Sequence, residues 1–286
     1  MSIYSTSNTS KSLVKFTVRV VLIGLIVVVL GVLVEIVLSR LPHRVGNDPN
    51  TLKVLFIGNS YIFVNNLPGL LIELSAHEAK RVDAEMVVAG GATLSMLWAE
   101  GNALTAIQRT KFDYVVLQEQ STLGSGTVIN GIAQLGNPGP FWHYVRLFDA
   151  AIRKAGAKTV LYMTWARQNA PQTQSLLTNA YMTIATELHD IVAPVGLAWQ
   201  DVLKRKPGFP LFDTDGSHPD TAGSYLAACV FYATLYQKTP IGLPGQVSNT
   251  LVDDSGTPQS GSVALSPADT LFLQQSAWNV ASHRIP

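Results

Sequence analysis

Lys53-Val54-Leu55-Phe56-Ile57-Gly58-Asn59-Ser60-Tyr61 is an apolar run that stops at a glycine and a polar pair. Such a run reads as a strand buried on both faces, followed by a turn. Four more short runs rich in Val, Ile or Leu repeat the pattern: Ala84–Val88, Tyr114–Leu117, Thr159–Met163 and Ile191–Pro194. Helices are expected between them. Asn66 with Leu67-Pro68 supplies a cap and first turn for one reaching about Lys80. Others are expected over Leu94–Arg109, Phe141–Ala155, Gln172–His189 and Asp220–Tyr236. Strands alternating with helices in this way define an α/β domain with a parallel sheet.

In an open parallel sheet, ligands bind beyond the carboxyl ends of the strands. Ser60 directly follows the first strand. Near the other end of the domain, Phe212-Asp213-Thr214-Asp215-Gly216-Ser217-His218-Pro219-Asp220 precedes a helix. Two residues separate Asp215 from His218, so a tight turn can bring the carboxylate to one imidazole nitrogen while the other points toward Ser60. Serine, histidine and aspartate in this arrangement suit hydrolytic acyl transfer. The hydroxyl is a weak nucleophile until an imidazole takes its proton, and a carboxylate fixes the imidazole tautomer.

The bulk composition narrows the alternatives. With 47% hydrophobic and 14% charged residues in 286, the chain can bury one good core. Twenty basic against 19 acidic residues give no electrostatic case for a nucleic acid partner. The single cysteine, Cys229, excludes an intrachain disulfide and lies in an apolar run as a core residue. The histidines are scattered and no compact carboxylate cluster appears, so neither a metal nor another cofactor is expected.

The amino-terminal region reads differently. Residues 1–19 form a tail, and Val20–Leu38 is apolar throughout except for Glu35, long enough to span a bilayer. The sequence that follows offers no good signal-peptide cleavage site, so the span reads as an uncleaved anchor at residues 20–38 with a linker at 39–51. Lys11, Lys15 and Arg19 before the span, against Arg40 and Arg44 after it, favour a cytoplasmic amino terminus. The domain at 52–286 would then be extracytoplasmic. Within it, the glycine-rich segment Ser121–Pro140 reads as a long loop, a lid or rim against a plain surface insertion. The segment Thr239–Ser262 reads as irregular, and Ser266-Pro267-Ala268-Asp269 as the start of a last helix.

The blocks Gly58-Asn59-Ser60-Tyr61 and Asp215-Gly216-Ser217-His218-Pro219 resemble the first and last blocks of the SGNH hydrolases, the GDSL esterase/lipase superfamily. The resemblance covers most of residues 52–238. It implies a flavodoxin-like three-layer α/β/α sandwich, a nucleophile at Ser60, His218 as base and Asp215 as its partner. The glycine block is similar to Val88-Ala89-Gly90-Gly91-Ala92, where Gly90 or Gly91 would offer an oxyanion N–H beside that of Ser60. The Gly-x-Asn-Asp block has no counterpart. In its place stands Val115-Val116-Leu117-Gln118-Glu119-Gln120-Ser121, in which the amide of Gln118 or Gln120, with a slight preference for Gln118, can replace the asparagine donor.

Three further residues are candidates for substrate binding. Asn59 sits beside the nucleophile, where it either meets substrate or orients the turn. Trp165 and Arg167, after the fourth strand, can stack on a sugar ring or hold an anionic group. The expected activity is that of a membrane-anchored serine esterase deacylating (deacetylating) a carbohydrate or cell-envelope substrate. An O-acyltransferase using the same triad and a non-catalytic glycan-binding or scaffold protein are the alternatives.

Overall fold

The computed structural model describes residues 49–130 and 132–282. The expected anchor at 20–38 and its flanks lie outside the described residues. Among those described, no helix is long and apolar enough to cross a membrane.

Five parallel strands form the central sheet: β1 (Thr51–Gly58), β2 (Arg81–Val88), β3 (Tyr114–Leu117), β6 (Lys158–Tyr162) and β7 (Ile191–Ala193). Their spatial order is β2-β1-β3-β6-β7. The chain thus winds outward in both directions from β1 and β3, leaving a crevice where the two windings part. The core shows the strand period directly. Val54, Phe56, Val116, Val160 and Tyr162 face one apolar layer, and Leu55, Ile57, Val115, Leu117 and Leu161 face the other. Each of these fully buried side chains contributes roughly 1.5–3 kcal/mol of burial free energy.

Helices cover both faces. The second layer of the core holds α3 (Leu94–Glu100), α4 (Asn102–Arg109), α5 (Gly139–Lys154) and α6 (Gln174–Leu188). The first holds α2 (Leu67–Leu74), α7 (Val195–Arg205), α8 (Thr221–Tyr236) and α9 (Pro267–Ser282). Buried all round, α8 runs through the middle of that layer and carries Cys229, whose thiol burial pushes up to about 12. A one-turn helix, α1 (Ser60–Phe63), follows β1.

Several expected elements change shape. The helix begun at Leu67 stops at Leu74 instead of near Lys80, because the buried Ser75 hydroxyl accepts the Val82 N–H at 2.9 Å and turns the chain into β2. The helix expected over Leu94–Arg109 is two, broken at Gly101, whose φ of 81° no helical residue adopts. Helix α7 is additional to the expected elements. Neither glycine-rich segment is a structureless loop. Ser121–Pro140 holds a short hairpin, β4 (Thr127–Ile129) with β5 (Ile132–Gln134). Thr239–Ser262 holds most of a longer one, β8 (Gln246–Val252) with β9 (Pro258–Ala264), which lies on α2.

Candidate active site

The turn after β1 has little freedom. A Cβ at Gly58 would lie 2.4 Å from Gln118 Oε1, so only glycine lets β1 close on the end of β3 at this point. Gln118 uses that space. Its Oε1 accepts the Asn59 N–H at 2.8 Å and its Nε2 donates to the Glu119 carbonyl. Asn59 is committed in the same way: its Oδ1 caps α1 by accepting the Tyr61 N–H at 3.1 Å, and its Nδ2 donates to the Ala92 carbonyl at 2.9 Å. The oxygen and the nitrogen of each amide both make a hydrogen bond inside the protein. Gln118 is thereby engaged in holding the nucleophile turn against β3, and Asn59 in holding it to the glycine loop.

At the other end of the domain, an antiparallel bridge between Phe212 and Pro219 closes a loop on Asp215–His218. The Asp215 carboxylate organises it. Oδ1 accepts the N–H groups of Ser217 and His218, each at 2.8 Å, and Oδ2 lies 2.5 Å from His218 Nδ1. Burial raises the Asp215 pKa, but the hydrogen bonds from the His218 ring and the two N–H groups outweigh it, and the carboxyl stays below its usual range. With Nδ1–H donating to Asp215, His218 Nε2 is free to accept from Ser60 Oγ, 2.8 Å away.

An aromatic column ties the two motifs together. The Tyr61 ring stacks on Trp165 with centroids 4.6 Å apart, and Trp165 stacks on Trp199 at 3.8 Å. The Tyr61 hydroxyl and Ser217 Oγ are 2.6 Å apart, and Trp165 Nε1 donates to the Ser217 carbonyl at 3.0 Å. Trp165 is only 1% exposed, and both its faces are covered. The expected sugar platform is thus a structural residue that positions the His218 loop. Asn65 adds a further tie, its Nδ2 donating to the Pro219 carbonyl at 3.0 Å.

A cleft of about 340 Å³ opens over Ser60 and His218. Gly90, Gly91, Gln120 and Arg167 border it. The Ser60 N–H heads α1 and has no backbone acceptor among the described residues, as expected at a helix start. Gln120 is held by its oxygen, which accepts the Thr122 N–H at 2.7 Å and the Thr122 hydroxyl at 2.5 Å. Its Nε2 has no partner among the described residues. The donor set available to an oxyanion is therefore Ser60 N–H, an N–H of Gly90 or Gly91, and Gln120 Nε2.

Glu119, between the two glutamines, is 2% exposed. Its carboxyl accepts the Gln120 N–H at 2.7 Å and the Leu94 N–H at 3.4 Å, joining the strand end to the helix that follows the glycine loop. Desolvation raises its pKa to about 7 against those two bonds. An acidic residue at the end of a buried strand was the sequence signal for this residue. Tyr61, Ser217 and Asn65 carried none, because their partners lie far along the chain. Among the described residues, no group of His, Cys, Asp or Glu could hold a metal ion.

No protein-family model and no curated protein matches the chain. Solved structures do. A candidate SGNH hydrolase from Slackia heliotrinireducens is 27% identical, with the match covering 65% of this chain and 100% of that one at a TM-score of 0.53. A DUF4886 family protein from Bacteroides uniformis matches 82% of this chain and 95% of its own at TM-score 0.60 and 18% identity. A variant of a Geobacillus acetyl-xylooligosaccharide esterase matches 64% and 93% at TM-score 0.50 and 17% identity; likenesses at such identity speak for the fold alone. The doubly wound sheet with a serine, a histidine and a carboxylate at its crevice has the layout of a serine hydrolase. The chain belongs to the SGNH hydrolase superfamily, the GDSL esterase/lipases, enzymes acting on carboxylic esters.

Proposed function

We propose that the protein is a serine esterase that deacylates a carbohydrate or cell-envelope substrate. The observation that carries the reading is the unbroken contact chain from Ser60 Oγ through His218 to Asp215 at the mouth of the crevice. Ser60 attacks the ester carbonyl as His218 Nε2 takes its proton. Asp215 holds the imidazole in the required tautomer and stabilises the imidazolium. The Ser60 N–H, a glycine N–H and Gln120 Nε2 receive the developing oxyanion. His218 then protonates the departing alcohol, and water, activated by the same imidazole, cleaves the acyl-enzyme. The carbohydrate part of the reading draws on a fold neighbour acting on acetylated xylo-oligosaccharides.

The reading includes an anchor at 20–38 with a cytoplasmic tail at 1–19, a linker at 39–51 and the enzyme domain at 52–286 outside the membrane. The full chain in detergent is expected to take up a fluorophosphonate at Ser60 and to hydrolyse a short-chain aryl ester, both lost in Ser60→Ala. Absence of labelling and of Ser60-dependent turnover would sink the enzymatic reading. A carboxyl-terminal reporter found in the cytoplasm would overturn the topology.

A further inference from the structure

Arg167 is a cation at the edge of the cleft. Its Nη2 donates to Ser121 Oγ at 3.0 Å, its Nε is buried with no partner, and it forms no ion pair among the described residues. It also borders two spaces at once: the cleft over Ser60 and an adjoining cavity of about 650 Å³. That volume falls within the roughly 300–1,000 Å³ typical of small-molecule sites.

The position of Arg167 tells which half of an ester it would meet. The next residue, Gln168, donates its N–H to the Gly216 carbonyl at 2.9 Å, so this segment flanks the loop that carries His218. The alcohol half must lie on that side, because His218 protonates the leaving oxygen. Beyond Arg167 the larger cavity presents the amides of Gln168 and Gln200, the cation Lys204, which forms no ion pair among the described residues, and the carboxylate of Asp201, which Arg205 neutralises at 3.2 Å. Amides suit sugar hydroxyls, and a planar guanidinium suits a carboxylate or phosphate.

We infer that the alcohol half of the substrate is an acidic carbohydrate, whose oxyanion, a carboxylate or phosphate, is received by Arg167 while the glycan extends into the larger cavity. This rests on the ester-hydrolase reading and adds the charge of the substrate to it. The test compares acetate release by the full chain from acetylated galacturonate oligomers, an acetylated sugar phosphate and acetylated xylo-oligosaccharides. The acidic substrates are expected to exceed the neutral one in kcat/KM by about ten- to a hundredfold, the worth of a charge-assisted hydrogen bond. Whichever acidic substrate leads identifies the oxyanion. The preference should shrink in high salt, collapse in Arg167→Gln and return in part in Arg167→Lys. Equal rates on acidic and neutral substrates, or a preference untouched by both salt and Arg167→Gln, would overturn the inference and leave the esterase reading standing. If no ester is cleaved, the esterase reading fails by itself. Calorimetry with de-esterified galacturonate and xylo-oligomers then decides the inference: it survives on acid-selective binding lost in Arg167→Gln, and falls on equal or absent binding.

Discussion

The backbone N–H of Asn59 donates to Oε1 of Gln118 at 2.8 Å, so the residue before the nucleophile hangs from the strand beside it. Gln120, two residues on, lines the cleft with its oxygen held by Thr122. The two glutamines should therefore fail differently. Gln118→Ala leaves a buried N–H unpaired and is expected to cost about 1–3 kcal/mol of stability, read as a lowered denaturation midpoint. Gln120→Ala should leave that midpoint nearly in place and lower kcat on an aryl ester by about 100- to 1000-fold, as loss of an oxyanion donor does. The reverse pattern would reassign the oxyanion hole.

Trp165→Phe keeps an aromatic ring in the column and removes the hydrogen bond to the Ser217 carbonyl. The His218 loop then loses a tie while the cleft keeps its shape. A fall in kcat with little movement of KM is expected, measured by steady-state kinetics on a neutral aryl acetate. An effect confined to KM would show that the indole meets substrate after all.

Glu119 gives stability a pH dependence. Its carboxyl titrates at about 7 in the folded protein and near 4.5 when unfolded, so between those values the folded state holds the extra proton. The stabilisation is fully present below about pH 4.5 and is lost as pH rises through about 7. Glu119→Gln lacks this term. Denaturant unfolding of both proteins from pH 5 to pH 8.5 should show the variant gaining on the parent by a few kcal/mol, on the order of that shift. A constant difference across the range would place the titration elsewhere.

Cys229, with its thiol raised to about 12 and its side chain fully buried, should resist alkylation in the folded protein. Labelling by iodoacetamide is expected only as denaturant unfolds the chain, with a midpoint matching that seen by circular dichroism. Rapid labelling without denaturant would mean that α8 opens locally.

Much of the fold was legible because the strands are buried on both faces and so read as plain apolar runs. Tyr114–Leu117 lies where the sequence puts it to the residue. Helix α7 was not among the expected elements, although Val195, Ala198, Trp199 and Val202 recur at spacings of three and four after Pro194. The choice between Gln118 and Gln120 was not legible. It depends on where β3 stops being a strand: Gln118 still bonds into the sheet through its N–H to the Ile57 carbonyl, whereas Gln120 lies past the point where Thr122 captures its oxygen. For Trp165, the residues that cover its two faces come from separate segments of the chain, and no local pattern announces them. Ser60, His218 and Asp215 were readable because their chemistry is carried by residue type and by their positions at strand and helix ends.

Ser60 and His218 stand 158 residues apart in the chain. At ribosomal speeds of roughly 5–20 residues per second, about 8 to 30 seconds separate the synthesis of the nucleophile from that of its base. Through that interval the serine is an ordinary hydroxyl, and the growing chain passes its neighbours in the cell without the means to attack them. The enzyme is armed only when the sheet is complete and α8 is arriving.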